Sequence, residues 1–178
     1  MLEGITLYNQ YRDKIKTADI IEWQGNSLIG VAVRAKTDQN VQHTSGAILY
    51  QMVNGTEVRR YIGESNEKGF QLHYLSDVLK GYDGKVFWSR LKPEYDSYRV
   101  RIAEEATKLE GRGYGFLDLF SLLVKPVRLD AKSVICSEAW QIALINAGLL
   151  DKNFNDGNVL VPGQFGLTGL FYNPIRIY

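Results

Sequence analysis

Apolar residues run in short blocks through the first half of the chain and recur at helical spacing through the second. A polar helix is expected over Tyr8 to Lys16, then a strand over Asp19-Ile20-Ile21-Glu22-Trp23 that Gly25-Asn26 closes. The apolar run from His43 to Val53 predicts a buried strand, and Thr56 to Ile62 a second. Asn54-Gly55 between them is the strongest short-range hairpin signal. A helix over Gln71 to Leu79 and a strand over Lys85 to Leu91 follow, with Val86 and Trp88 on one face. Ile102, Ala103, Ala106 and Leu109 recur at helical spacing within Tyr98 to Glu110, and Gly111 provides a left-handed stop. Gly113-Tyr114-Gly115 reads as a loop and Phe116 to Val124 as a short apolar helix ended by Pro126. Ala139, Ile142, Ala143 and Asn146 form the stripe of a last helix over Ser137 to Ala147, stopped by Gly148.

Helices and hairpins mix without strict alternation, which predicts an α+β fold with a mostly antiparallel sheet and disfavours a doubly wound parallel one. No repeat or linker interrupts the 178 residues, so a single domain over 1–178 is expected, large enough to bury a core without cross-links. Lys and Arg total 21 against 20 Asp and Glu, with no dense basic block, which argues against nucleic acid as a partner. The uncharged stretch Gly157 to Ile175 holds Pro162, Pro174, Gly163, Gly166 and Gly169, and reads as loops and short strands, not a transmembrane segment. Met1 to Asp13 lacks a positive cluster followed by an apolar run, so no signal peptide is expected and the chain reads as cytoplasmic as synthesised.

The single cysteine, Cys136, stands at the N-terminal edge of the last predicted helix. A thiol is a nucleophile only as thiolate, and helix N-terminal partial charge and N–H groups favour that anion. The competing reading, a small buried hydrophobe, is weakened by the polar neighbours Ser137 and Glu138. A base must come from His43 or His73. His43 begins a strand after the polar Asp38-Gln39-Asn40, whereas His73 lies in the predicted Gln71 to Leu79 helix and reads as ordinary surface, so His43 is favoured. A two-residue turn at Asn54-Gly55 sets Ser45 opposite Glu64. His43 shares the face of Ser45, which makes Glu64 its diagonal neighbour and a candidate for orienting the imidazole. A solvated Glu at a strand end is the alternative. Zinc is disfavoured because neither C-x-x-C nor H-x-x-x-H occurs, so no metal and no cofactor is expected.

Asp19-Ile20-Ile21-Glu22-Trp23, His43-Thr44-Ser45-Gly46-Ala47-Ile48, Glu64, Cys136-Ser137-Glu138 and Val161-Pro162-Gly163-Gln164-Phe165, in that order, resemble the circularly permuted papain-like amidases, in particular the YiiX-like branch of the NlpC superfamily. Ala18-Asp19 stands where that family's strand opening often has Gly-Asp. The resemblance implies an antiparallel sheet packed against helices, with Cys136 at a helix N-terminus as nucleophile, His43 as base and Glu64 as the orienting residue. It further implies a cysteine hydrolase that cleaves an amide, in bacterial cell-wall peptides, through an acyl-enzyme. The expected partner is a peptide or lipid-like amide or ester. A lipid-directed acyltransferase or phospholipase is an alternative, for which Phe165, Leu167, Leu170, Phe171 and Tyr172 would suit an acyl chain. A non-catalytic binding or structural module on the same fold is the other.

Overall fold

The computed structural model describes residues 2–51, 58–66, 68–111 and 136–178. The Asn54-Gly55 turn, the Gly113 loop, the Phe116 to Val124 helix and Pro126 lie outside the described residues.

Six described strands form one antiparallel sheet: β1 (Ile20–Gly25), β2 (His43–Gln51), β3 (Val58–Asn66), β4 (Gly69–Tyr74), β5 (Gly84–Ser89) and β6 (Ile175–Arg176), ordered β4-β3-β2-β1-β5-β6. The helices are α1 (Leu2–Tyr11), α2 (Leu28–Thr37), α3 (Leu75–Lys80), α4 (Arg99–Thr107) and α5 (Cys136–Asn146). This is the α+β class that the mixed pattern predicts. Gly46 pairs with Gly63, Ala47 with Ile62 and Gln51 with Val58, the register that a two-residue turn at Asn54-Gly55 requires.

Helix α2 has no counterpart in the sequence reading, and two expected elements take other bounds. The polar helix forms earlier, over Leu2–Tyr11 with a 3-10 turn over Arg12–Lys14, because Tyr8 and Ile15 are core residues that tether both ends. The helix expected over Gln71 to Leu79 divides into β4 and α3. Phe70 and Leu72 alternate toward one face of the sheet, and pairing with β3, Tyr61 with Tyr74 through Asn66 with Gly69, satisfies a backbone that helical spacing would have satisfied internally.

Strand alternation gives the sheet two buried faces. One packs Ile20, Ile48 and Phe70 against Ile102 and Ala106 of α4 and Ala139, Trp140 and Ala143 of α5. The other packs Ile21, Trp23, Ala47, Ile62, Val86 and Trp88 against Tyr8 of α1 and Leu75 and Leu79 of α3. Trp140, fully buried, is what seats α5: its Nε1 donates to the Gly63 carbonyl at 2.9 Å, and its ring lies over Gly46. A Cβ on Gly46 would sit 2.2 Å from Trp140 Cζ2, so only glycine permits this approach. Four residues upstream, one helical turn away on the same side of α5, is Cys136.

At the start of β1, Ala18 takes φ 67, the left-handed conformation that glycine reaches without cost. It turns the Asp19 carboxylate inward, where it accepts from the N–H groups of Lys16 and Leu91, from Trp88 Nε1 and from Arg99 Nη1 at 2.7 Å. Arg99 also reaches the carbonyls of Thr17 and Leu91 and the Asp96 carboxylate. This fully bonded ion pair ties β1, β5 and α4 together.

Candidate active site

The β2–β3 ladder ends at Gly46 and Gly63, so His43, Thr44 and Ser45 have no partner on β3. The N-terminus of α5 reaches this open end. Within it the Cys136 sulfur is hydrogen-bonded to the His43 imidazole and approached by the backbone N–H groups of Thr44 and Ser137. His43 Nε2 lies 3.1 Å from Glu64 Oε2, which leaves Nδ1 for the sulfur. The structure thus brings Cys136, His43 and Glu64 into one line of contacts. Their placement in the sheet differs in one respect from the simplest expectation. By alternation His43 and Glu64 project from the face opposite Gly46 and Gly63, on which α5 packs. The thiol and imidazole meet where the ladder stops, at the first residue of β2, and not across a shared face.

Burial and charge act in opposite directions on this cluster. Burial disfavours an imidazolium, but the Cys136 sulfur, by charge and hydrogen bond, and then Glu64 outweigh it and push His43 up to about 10. Burial likewise pushes the Cys136 thiol up, and the facing imidazolium together with the N–H groups of Thr44 and Ser137 more than offsets it, leaving the thiol below its ordinary value. The two groups titrate as a pair, and the arrangement favours thiolate with imidazolium near neutral pH. The hydroxyls of Thr44 and Ser137, the two residues whose N–H groups approach the sulfur, are buried and have no hydrogen-bond partner among the described residues.

His73 stands on β4 and not on a helix. Its Nε2 is 3.6 Å from Glu64 Oε1, too long for a hydrogen bond, so Glu64 lies between two imidazoles and only His43 bonds the sulfur. Cys136 is 4% exposed. A cavity of about 430 Å³ is lined by Glu22, Gln39, Lys85, Phe87 and Gly163 among others, and Cys136 and His43 are not in its wall. Of the five residues that would suit an acyl chain, Phe165, Leu170 and Phe171 are buried in the core and Leu167 and Tyr172 are exposed.

Sequence reasoning did not assign a role to Glu22. It is 4% exposed, accepts from the Gly163 N–H at 2.8 Å, and is held above the ordinary carboxyl range by burial, which this N–H only partly offsets. Its signal was available: a lone acid inside the apolar run Ile20 to Trp23. Among the described residues, no group of three His, Cys, Asp or Glu side chains is arranged to hold a metal ion, and no helix is long and apolar enough to cross a membrane.

No family model matches the sequence, and no curated protein matches it. The fold does match a solved structure, the crystal structure of the metalloprotein YiiX from Escherichia coli O157:H7, of family DUF1105, with a TM-score of 0.65 at 16% identity over 92% of this chain and 97% of that one. The chain is thus similar to YiiX in fold.

Proposed function

We propose that the protein is a papain-like cysteine hydrolase of permuted order that cleaves an amide or ester through an acyl-enzyme on Cys136. The observation that carries this reading is the contact line from the Cys136 sulfur through His43 to Glu64, with the last link at 3.1 Å. The Cys136 thiolate attacks the carbonyl carbon. Its former proton, held on His43 Nδ1, passes to the leaving amine or alcohol as the tetrahedral intermediate collapses, and water then enters with His43 as base to release the acid and free thiol. Glu64 holds the ring through Nε2 and stabilises its charged form. The backbone N–H of Cys136, at the N-terminus of an 11-residue helix, helps to stabilise the oxyanion.

YiiX is called a metalloprotein, and a metal centre would be the alternative chemistry for the same side chains. The residues fit it poorly. His43 Nε2 and one Glu64 oxygen are bonded to each other, and no three-ligand group converges among the described residues. An acyl-chain substrate is less well supported than a polar one, since three of the five residues suited to an alkyl tail lie in the core.

The test is a turnover screen on cell-wall muropeptides, short-chain p-nitrophenyl esters and phospholipids, with intact-mass detection of an acyl adduct. The reading expects an adduct on Cys136 that is absent in Cys136→Ser. Turnover retained by Cys136→Ser, or turnover dependent on added metal, would overturn it.

A further inference from the structure

The cavity beside the thiol is built around a buried acid with a bonding position to spare. Glu22 uses Oε1 to accept from Gly163, and its Oε2 makes no hydrogen bond among the described residues. Although Glu22 is only 4% exposed, Oε2 is not among the fully buried polar atoms that lack a partner, so this oxygen is reached from the cavity and keeps an open bonding position there. The Asp19 carboxylate, equally buried, has four protein donors. Glu22 lines the cavity, so a donor that completes it would come from there.

Three further observations describe what fits. Glu22 pairs with Thr44 across β1 and β2, and the Thr44 N–H contacts the Cys136 sulfur. Paired positions lie about 5 Å apart, so the cavity begins one strand away from the nucleophile. The volume, about 430 Å³, suits a small organic group. The wall is polar: Gln24 and Lys85 face each other in the β1–β5 register, Gln39 approaches Gly163 from the other side, and Phe87 is the main apolar surface. Gly163 has φ 93, and a Cβ there would sit 2.5 Å from Gln39 Oε1, so the N–H that holds Glu22 is presented by a backbone that only glycine supplies easily.

We propose that this cavity is the subsite for a peptide-like portion of the substrate, recognised by an N–H donor, an ammonium or amide, placed on the free oxygen of Glu22. The proposal rests on the hydrolase reading for its position in a reaction, and it narrows the substrate to amino-acid-derived acyl groups over alkyl ones. Glu22 is here a specificity-determining residue, since it touches substrate without joining the chemistry. An alkyl chain in the same place would cover Oε2 and leave it unsatisfied, which is the stronger form of discrimination.

The experiment measures binding and not turnover, so that it does not depend on the thiol. Calorimetric or NMR titration of the Cys136→Ala protein with alaninamide, N-acetylalaninamide and methyl hexanoate, which has no N–H, is expected to show the first two binding about tenfold or more tighter than the third. Glu22→Gln, close in shape and able to keep the Gly163 contact, should remove the advantage of alaninamide while N-acetylalaninamide still binds. Glu22→Leu should erase the difference among all three, and circular dichroism of both variants checks the fold. Methyl hexanoate binding as tightly as alaninamide, binding of none of the three, or an alaninamide affinity unmoved by Glu22→Gln would overturn the proposal. An inert thiol in the parent protein would sink the hydrolase reading and leave these binding results standing.

Discussion

The β1–β2 ladder carries a buried charged cluster at each end, and the two are built to opposite purposes. At one end Asp19 and Arg99 form a closed set: the carboxylate takes four donors and the guanidinium is bonded to Asp19, Asp96 and two carbonyls. Four residues along β1, Trp23 faces His43, where a thiol, an imidazole and a carboxylate are joined in one line of contacts. Both clusters desolvate charge. Only the second holds groups that shift each other's acidity, and among its described residues the buried hydroxyls of Thr44 and Ser137 are left unbonded. Burial and ion pairing alone therefore do not mark a reactive site. A thiol and an imidazole that shift each other's acidity make one a candidate.

The comparison is broken most directly at the structural end. Asp19→Ala would leave Arg99 buried without its partner and three other donors unsatisfied, a loss of about 3–5 kcal/mol in denaturant unfolding. Stability unchanged by that substitution would mean that the closed cluster is not what holds β1, β5 and α4 together. Gly46→Ala comes next. Its methyl would collide with Trp140, costing about 1–3 kcal/mol, and because Trp140 seats the helix that presents Cys136, thiol reactivity should fall with it.

Two smaller effects sharpen the reactive end. His43→Ala should slow alkylation of Cys136 at pH 6 to 7 by about tenfold or more, since the thiolate loses its counter-ion. Glu64→Gln should retain more reactivity than Glu64→Ala, because the amide still holds the ring. The least effect is on stability against pH. His43 is raised in the fold, so its contribution is complete below its unfolded value near 6.5 and is lost as pH rises through about 10. The Cys136 thiol is lowered, so its contribution is complete above its unfolded value near 9 and is lost as pH falls through its folded one. From the higher of 6.5 and the folded thiol's value up to 9, folded and unfolded states bind equal protons and the curve is flat; above 9 it should fall by about 1 kcal/mol per pH unit until His43 has titrated near 10. Cys136→Ala should abolish that fall.

Much of this was legible in the sequence because strands impose discrete geometry. The Asn54-Gly55 turn implied the observed β2–β3 register, and from it the proximity of His43 and Glu64 followed. The start of α5 at Cys136 followed from its apolar stripe and polar first turn. What escaped was tertiary. Arg99 sits on the same stripe as Ile102 and Ala106, but nothing local says that a charge there is buried against Asp19. Trp140 seats α5 through two glycines on different strands, a fit visible only once the sheet is formed. The division of Gln71 to Leu79 into strand and helix depended on an available edge of β3.

The central claim is that Cys136 and His43 form a thiolate–imidazolium pair, and the chain's single cysteine makes it directly measurable. Thiolate absorbance near 240 nm, titrated in the parent protein and corrected with Cys136→Ala, reads the anion without requiring a reagent to reach a thiol that is 4% exposed. The expected result is an anion already formed at pH 7, lost only on further acidification and returned toward an ordinary thiol by His43→Ala. A midpoint in the parent at about 8.5 or above, the range of an unperturbed cysteine, would contradict the account.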